Sequence, residues 1–385
     1  MKFKPVKTAV IGCGMISNIY LRVLKEKFSI IELVGCSDIV EEKAAAQAEK
    51  YGIRKMTNEE ILTDPEIELV LNLTYASAHY EVNRAILSAG KHCYSEKMMC
   101  LTMQEADELD RIRREKGVMF AVAPDTFLGA GIQSANFYVQ QGMIGEPVQV
   151  VANLARGYFM TKEDKDDAHR KYSVMCEGGG IPYDMGGYYL HAMFQMLGPV
   201  KSVCGYMKTR EQNRPYLNPR HSKFEENFFV NTYNTVSATL EFANGVLGSL
   251  NISSEYDATY NDFKIYGTRG ILVISDPNQF GEKPRLLKGI PGTESVTETE
   301  LPLYHAFSEQ YRGIGAADMA WALRTGRPPR LSFEMGYHAL EILNAIIRST
   351  ENRTVEMLHT TFERPVPIPP DIYGGTTDER NLYLY

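Results

Sequence analysis

Short apolar runs alternate with stretches of helical period through the first third of the chain. The apolar runs fall at Thr8–Ile11, Ile31–Cys36, Leu69–Thr74, His92–Ser95 and Met119–Ala123. The periodic stretches fall at Asn18–Lys27, Glu41–Tyr51, Ala78–Ser88 and Met103–Lys116. Strands that are apolar along their length, separated by amphipathic helices, predict a parallel sheet covered on both faces.

The pattern changes near Asp125. After a helix around Ile132–Gln141, polar and apolar residues alternate over Thr235–Phe242 and again over Val246–Ile252, with Asn244-Gly245 between them, a strong hairpin signal. A second hairpin is expected from Phe263–Tyr266 and Ile271–Ile274, turning at Thr268-Arg269-Gly270. An alternating sheet must bury its apolar face, and helices predicted at Tyr183–Leu197, Ala306–Arg324 and Glu334–Arg348 can cover it. The reading is an α/β domain over 1–125 followed by an α+β domain over 126–385 with an open, mainly antiparallel sheet. The Pro-, Gly- and Thr-rich tail after Phe362 is expected to run over the surface or a neighbouring subunit.

The first strand runs into Gly12-Cys13-Gly14-Met15-Ile16-Ser17, then a helix, then a strand ending in Ser37-Asp38. This is the layout of a dinucleotide-binding βαβ unit. Gly12 permits the tight turn, and Gly14 lets the backbone approach a pyrophosphate. The helix start offers unpaired N–H groups and a partial positive charge. Asp38, 24 residues beyond Gly14, can accept hydrogen bonds from adenosine ribose hydroxyls. Ser17 replaces the third glycine with another small residue.

The bulk numbers narrow the partners. The chain has 385 residues, 44% hydrophobic and 23% charged, with net charge −7. There is no basic footprint for nucleic acid, no apolar run near the ~20 residues that cross a bilayer, and no apolar signal-peptide core at the N-terminus. A small-molecule substrate and a cytoplasmic location are expected. Six cysteines without Cys-x-x-Cys spacing read as reduced thiols, and no metal-ligand spacing is present.

Two clusters could carry chemistry. Tyr94-Ser95-Glu96-Lys97-Met98-Met99 follows a parallel strand, at whose carboxyl end ligands bind. Lys97 there could hydrogen-bond a substrate hydroxyl and stabilise the alkoxide developing during hydride transfer; from spacing alone a solvated loop lysine explains it equally well. The second cluster is Gly178-Gly179-Gly180 followed by a helix with Asp184, Tyr188 and His191 at i, i+4 and i+7, one face. The alternative is a helix-capping Asp184 with two aromatic residues in a core. His79, opening a helix, reads first as structural, and His338, on an apolar stripe, as a core residue.

Together these residues resemble the glucose–fructose oxidoreductase, inositol dehydrogenase and rhizopine-catabolism family, Gfo/Idh/MocA, over nearly the whole chain. The matching pieces are Gly12-Cys13-Gly14 with Asp38, Leu73-Thr74 followed by His79, Ala89-Gly90-Lys91-His92, Glu96-Lys97, Gly142-Met143-Ile144-Gly145, and Gly178-Gly179-Gly180 with Asp184-Met185-Gly186-Gly187-Tyr188. The resemblance implies a Rossmann domain, a substrate-binding and oligomerising domain, a nicotinamide cofactor, and polyol, sugar or glycoside substrates. Three positions depart from the family pattern. Met98 stands where the family has Pro, Tyr188 where a catalytic histidine is common, and Pro124-Asp125-Thr126-Phe127-Leu128-Gly129 where an Asn-Arg segment is usual.

The function expected is an NAD-dependent oxidoreductase acting on a secondary hydroxyl of a sugar or glycoside, C3 being one option, in a homo-oligomer. Gly12, Cys13, Gly14, Met15 and Ile16 cradle the pyrophosphate, and Asp38 holds the adenosine ribose. Glu96 lies near the nicotinamide ribose, and Thr74 and His79 join the cofactor set. Lys97 orients the reacting hydroxyl, Asp184 fixes it, and Tyr188 or His191 handles the proton. An NAD-dependent glycosidase working by transient C3 oxidation, and a non-catalytic NAD(H)-binding regulator, are the alternatives.

Overall fold

The computed structural model describes residues 3–156, 179–216, 219, 223–256, 258–370, 379 and 382. Contacts group the chain into two compact units: 1–130 with 304–337 and 365–385, and 131–303 with 338–364. This is not a single cut after residue 125, because two C-terminal stretches join the N-terminal unit.

The first unit holds a parallel sheet of β1 (Val6–Ile11), β2 (Ile31–Ser37), β3 (Arg54–Lys55), β4 (Leu69–Asn72), β5 (His92–Ser95) and β6 (Phe120–Val122). Its order is 3-2-1-4-5-6, so the strand order reverses between β1 and β4. Ligands of doubly wound sheets bind at that switch point, outside the strands' carboxyl ends. The covering helices include α1 (Ser17–Lys27), α2 (Glu41–Tyr51), α3 (Asn58–Thr63), α4 (Ala76–Ser88) and α5 (Met103–Lys116). Local chemistry sets their ends. Thr102 and Glu105 form a capping box at the start of α5, and Gly117 closes it in the left-handed region at φ 64°. β3 and α3 were not anticipated; two and six residues are too short for a periodic signal.

Asp125 explains one C-terminal return. Its Oδ2 accepts from the backbone N–H groups of Gly313 (2.7 Å) and Gly315 (3.1 Å), at the start of a helix over Ile314–Thr325. The helix expected over Ala306–Arg324 therefore begins later, at a glycine with φ 111°, and packs in the first unit instead of covering the antiparallel sheet. Two described residues of the tail, Val366 and Leu382, bond to the same unit. Wholly buried Asp318 binds Arg330 Nη1 and Arg327 Nη2 at 2.7 and 2.6 Å. Those arginines donate to the Val366 and Leu382 carbonyls.

In the second unit the described residues form a nine-stranded sheet, with the expected Thr235–Phe242 strand paired with Leu247–Ser253 across Asn244-Gly245, Gly245 taking φ 87°. The second hairpin pairs Gly267 with Gly270, so Thr268-Arg269 forms the turn. The sheet is mainly antiparallel, but Pro147–Ala155 runs parallel to Leu247–Ser253. A helix over Ile181–Leu197 contacts the inner faces of the paired strands. All of its residues except Asp184 are buried. His338 is buried as expected: the Val200 N–H donates to its Nε2 at 3.0 Å and its Nδ1 faces Thr360 Oγ1 at 2.8 Å.

Candidate functional site

The turn after β1 is shaped by what approaches it. A Cβ on Gly12, which holds φ 102°, would stand 2.7 Å from the Leu73 carbonyl carbon and 2.8 Å from the Thr74 nitrogen. Only glycine lets the ends of β1 and β4 come this close. Among the described residues, its own chain neighbours aside, a Cβ on Gly14 would meet nothing within 4 Å. The space in front of Gly14 is open, which fits a pyrophosphate laid against the turn. Ser17, wholly buried, donates from Oγ to the Gly14 carbonyl at 2.6 Å and closes the turn onto α1. Met15 is half exposed, and Ile16 precedes the first helical residue.

Asp38 is tied to this turn. Its Oδ2 accepts from the Cys13 N–H at 2.7 Å and its Oδ1 from the Val40 N–H at 2.8 Å. Each carboxylate oxygen has a second lone pair available to ribose hydroxyls.

At the ends of β4 and β5, a buried amide network sets the loops. Asn72 Oδ1 accepts from the Thr74 hydroxyl at 2.6 Å, and its Nδ2 donates to Asn83 Oδ1 at 2.8 Å. Asn83 Nδ2 donates to Ser95 Oγ (3.0 Å) and the Met99 carbonyl (2.9 Å). His79, 1% exposed, has Nδ1 at 2.6 Å from the Met98 carbonyl and Nε2 at 2.9 Å from the Thr74 carbonyl. Burial holds its pKa below the ordinary histidine value, against the pull of the two carbonyls. With both ring nitrogens on main-chain carbonyls, His79 staples the Thr74 and Met98 loops together. Lys97, half-buried, sits between these anchors. Its backbone N–H donates to Glu96 Oε2 at 3.2 Å, and Glu96, 8% exposed, also accepts from the Tyr20 hydroxyl at 2.6 Å.

The structure thus brings Gly12, Cys13 and Asp38 together on one side of the switch point and Thr74, His79, Glu96 and Lys97 on the other. The Asn72–Asn83 pair and Tyr20 were missed. The only signal for Asn72 was one amide in an otherwise apolar strand, and Tyr20 carried none.

The second unit carries the helical trio. Gly180, with φ 90°, would place a Cβ within contact of the Tyr233 carbonyl and Thr232. The close approach read from the glycine run is therefore to the chain itself at that position; Gly178 lies outside the described residues. Asp184, in the first turn of the helix, is the part-exposed member, and Tyr188 is 7% exposed. His191 is 1% exposed, its Nδ1 lies 2.8 Å from the Gly187 carbonyl, and burial pushes its pKa down to about 4. It is an uncharged interior ring packed beside Phe194. Among the described residues, no group of three His, Cys, Asp or Glu could hold a metal ion, and no helix is long and apolar enough to cross a membrane.

Comparison with known proteins places both units. The family description "Oxidoreductase family, NAD-binding Rossmann fold" matches residues 6–123, and "GFO/IDH/MocA C-terminal domain" matches residues 132–273. The scyllo-inositol 2-dehydrogenase (NADP(+)) IolW of Bacillus subtilis is 22% identical over 376 residues, covering 93% of this chain and 98% of that protein. The D-xylose dehydrogenase of Paenarthrobacter nicotinovorans is 24% identical, covering 72% and 71%. An uncharacterized oxidoreductase of Schizosaccharomyces pombe is 28% identical over 216 residues, and the match spans 57% of its length. Among solved structures, levoglucosan dehydrogenase in complex with NADH superposes with TM-score 0.78 at 19% identity, over 93% of this chain and 100% of that one.

Proposed function

Because the chain belongs to the Gfo/Idh/MocA oxidoreductase family, with its NAD-binding Rossmann fold, we propose that it is an NAD-dependent dehydrogenase of a secondary hydroxyl on a sugar, polyol or glycoside. The observation that carries this reading is the held placement of Lys97. The lysine follows β5 at the carboxyl edge of the sheet, its main chain bonded to Glu96 and its neighbour Met98 bonded to His79. A cation so anchored is suited to act on a developing charge. The named substrates of the relatives, inositol and xylose, support a polyhydroxylated substrate.

The cofactor fits the residues present: an open face at Gly14, a carboxylate at Asp38 and a second at Glu96. When bound, NAD supplies the acceptor for the hydrogen leaving the carbinol carbon. Asp38 accepts from the adenosine ribose, and Glu96 from the nicotinamide ribose. Lys97 donates to the reacting oxygen and stabilises its growing negative charge. Asp184 holds a substrate hydroxyl. Tyr188 is assigned the proton in preference to His191, whose ring is interior and bonded to its own helix. Self-association through the sheet of the second unit is part of the proposal; Tyr206, Leu247 and Met357 stand half exposed on its strands. Light scattering at micromolar concentration is expected to give more than one subunit, and a monomer would remove that part.

The test is a panel of polyols, sugars and glycosides with purified protein, following NADH absorbance and aglycone release together. NADH formed on a member of the panel supports the dehydrogenase. Aglycone release without net NADH replaces it with redox-neutral glycoside cleavage. NADH binding with no turnover anywhere on the panel replaces it with a non-catalytic binding role.

A further inference from the structure

Tyr20 lies on α1, six residues beyond Gly14, and is wholly buried. Its hydroxyl donates to Glu96 Oε1 at 2.6 Å. The other oxygen of Glu96 accepts from the Lys97 N–H at 3.2 Å. Behind Tyr20 stands the Tyr94 hydroxyl at 3.2 Å, and Tyr94 in turn faces buried Asp125. A carboxylate with so little exposure must be met by donors. Tyr20 meets it from the helix that begins at the glycine-rich turn. One bond therefore ties the segment assigned to the pyrophosphate to the loop that carries Lys97. Burial and the adjacent Glu96 charge push the Tyr20 hydroxyl well above its ordinary range, so it remains a donor.

We propose that Tyr20 is a positioning residue for the cofactor's nicotinamide end: it fixes the Glu96 carboxylate, and through it the Lys97 main chain, in the orientation that meets the nicotinamide ribose. This rests on the reading that Glu96 contacts that ribose. A tyrosine that merely supports the fold would affect every ligand of the unit alike. A tyrosine that orients Glu96 affects only ligands that reach Glu96.

NADH and ADP separate the two, because ADP lacks the second ribose. Calorimetric titrations use the full-length wild type, Tyr20→Phe, Glu96→Gln and the double variant. Tyr20→Phe should raise the Kd for NADH about tenfold, as loss of a hydrogen bond to a charged group does, and change that for ADP by less than about twofold. In the Glu96→Gln background the same substitution should add less than about twofold. Equal weakening of NADH and ADP overturns the proposal, as does a full effect in both backgrounds. Loss of NADH affinity in Glu96→Gln with none in Tyr20→Phe overturns the role of Tyr20 alone. An unchanged NADH-to-ADP ratio in Glu96→Gln overturns the ribose reading of Glu96 and this role with it. If Tyr20→Phe does not fold, Tyr94→Phe removes the phenol that orients the Tyr20 hydroxyl. It should give the same NADH-selective loss at smaller amplitude, and equal losses for the two ligands overturn the proposal.

Discussion

The backbone N–H of Cys13 donates to Asp38 Oδ2 at 2.7 Å, so the glycine turn after the first strand and the acid after the second form one piece. The Val40 N–H holds the other oxygen. The charge is thereby fixed where an adenosine 2′-substituent is expected. A 2′-hydroxyl can donate to it, whereas a 2′-phosphate brings like charge to like. We expect NADH to bind at least about tenfold more tightly than NADPH, and Asp38→Ala to close most of that gap. Parallel fluorescence titrations decide it; tighter binding of NADPH by the wild type would refute the assignment.

Alanine at two neighbouring glycines should fail in different ways. At Gly12 the new Cβ collides with main chain of Leu73 and Thr74 at a φ of 102°. Gly12→Ala should lower stability by about 2 kcal/mol or more. At Gly14 the Cβ meets no described residue within 4 Å beyond its chain neighbours. Gly14→Ala should fold as the wild type does and lose NADH affinity about tenfold or more, because the methyl occupies the space given to the pyrophosphate. Melting curves and NADH titrations on both variants test the pair. A destabilised Gly14→Ala with normal NADH binding would show that the open space has no ligand.

Acid should destabilise the second unit through two interior histidines. Burial pushes His191 and His338 each down to about 4 from an ordinary 6.5. For His338 the tautomer is set. Nε2 accepts from the Val200 N–H, so Nδ1 carries the proton toward Thr360 Oγ1, whose hydroxyl donates to Glu341 at 2.6 Å. A second proton would face the Val200 N–H. Because the folded values are depressed, the unfolded chain binds more protons between these limits. The stabilisation is complete above about 6.5 and falls as pH drops toward about 4, by up to roughly 3 kcal/mol per histidine. Urea unfolding across that window should show it. His338→Asn, whose amide can both accept and donate, should give a shallower slope. A flat wild-type profile from pH 7 to 5 would mean that these rings are not held neutral.

The strand–helix alternation of the first unit was legible because each element buries one face and ends at its own signals; α2 and α5 occupy the predicted Glu41–Tyr51 and Met103–Lys116. The glycine turn and Asp38 were legible because their spacing is local. What stayed hidden depends on partners far away in the chain. Asp125 was visible only as an unusual residue; its role is to cap a helix start some 190 positions later. His79 gave no sign that both its nitrogens would be taken by carbonyls. The helix after Gly180 does carry Asp184, Tyr188 and His191. Position along a face does not say which members are buried, and there Tyr188 and His191 are while Asp184 is part-exposed.

In the proposed function Lys97 is assigned the reacting oxygen, and its removal is the sharpest test. A carbinol carbon gives up hydrogen readily only as its hydroxyl loses a proton, and a cation beside that oxygen stabilises the charge that grows, most where water is excluded. The main chain around Lys97 is held by Glu96 and His79, through the Lys97 N–H and the Met98 carbonyl. Truncating the side chain removes neither of those two bonds. Lys97→Ala and Lys97→Met should therefore lower kcat about 100-fold or more on the substrate that the panel identifies. They should also bind NADH within about twofold of the wild type, since the residues assigned to the phosphates and adenosine lie elsewhere. Near-normal kcat in either variant would make Lys97 a bystander and remove the proposed chemistry. A matching fall in NADH affinity would instead place the lysine on the cofactor.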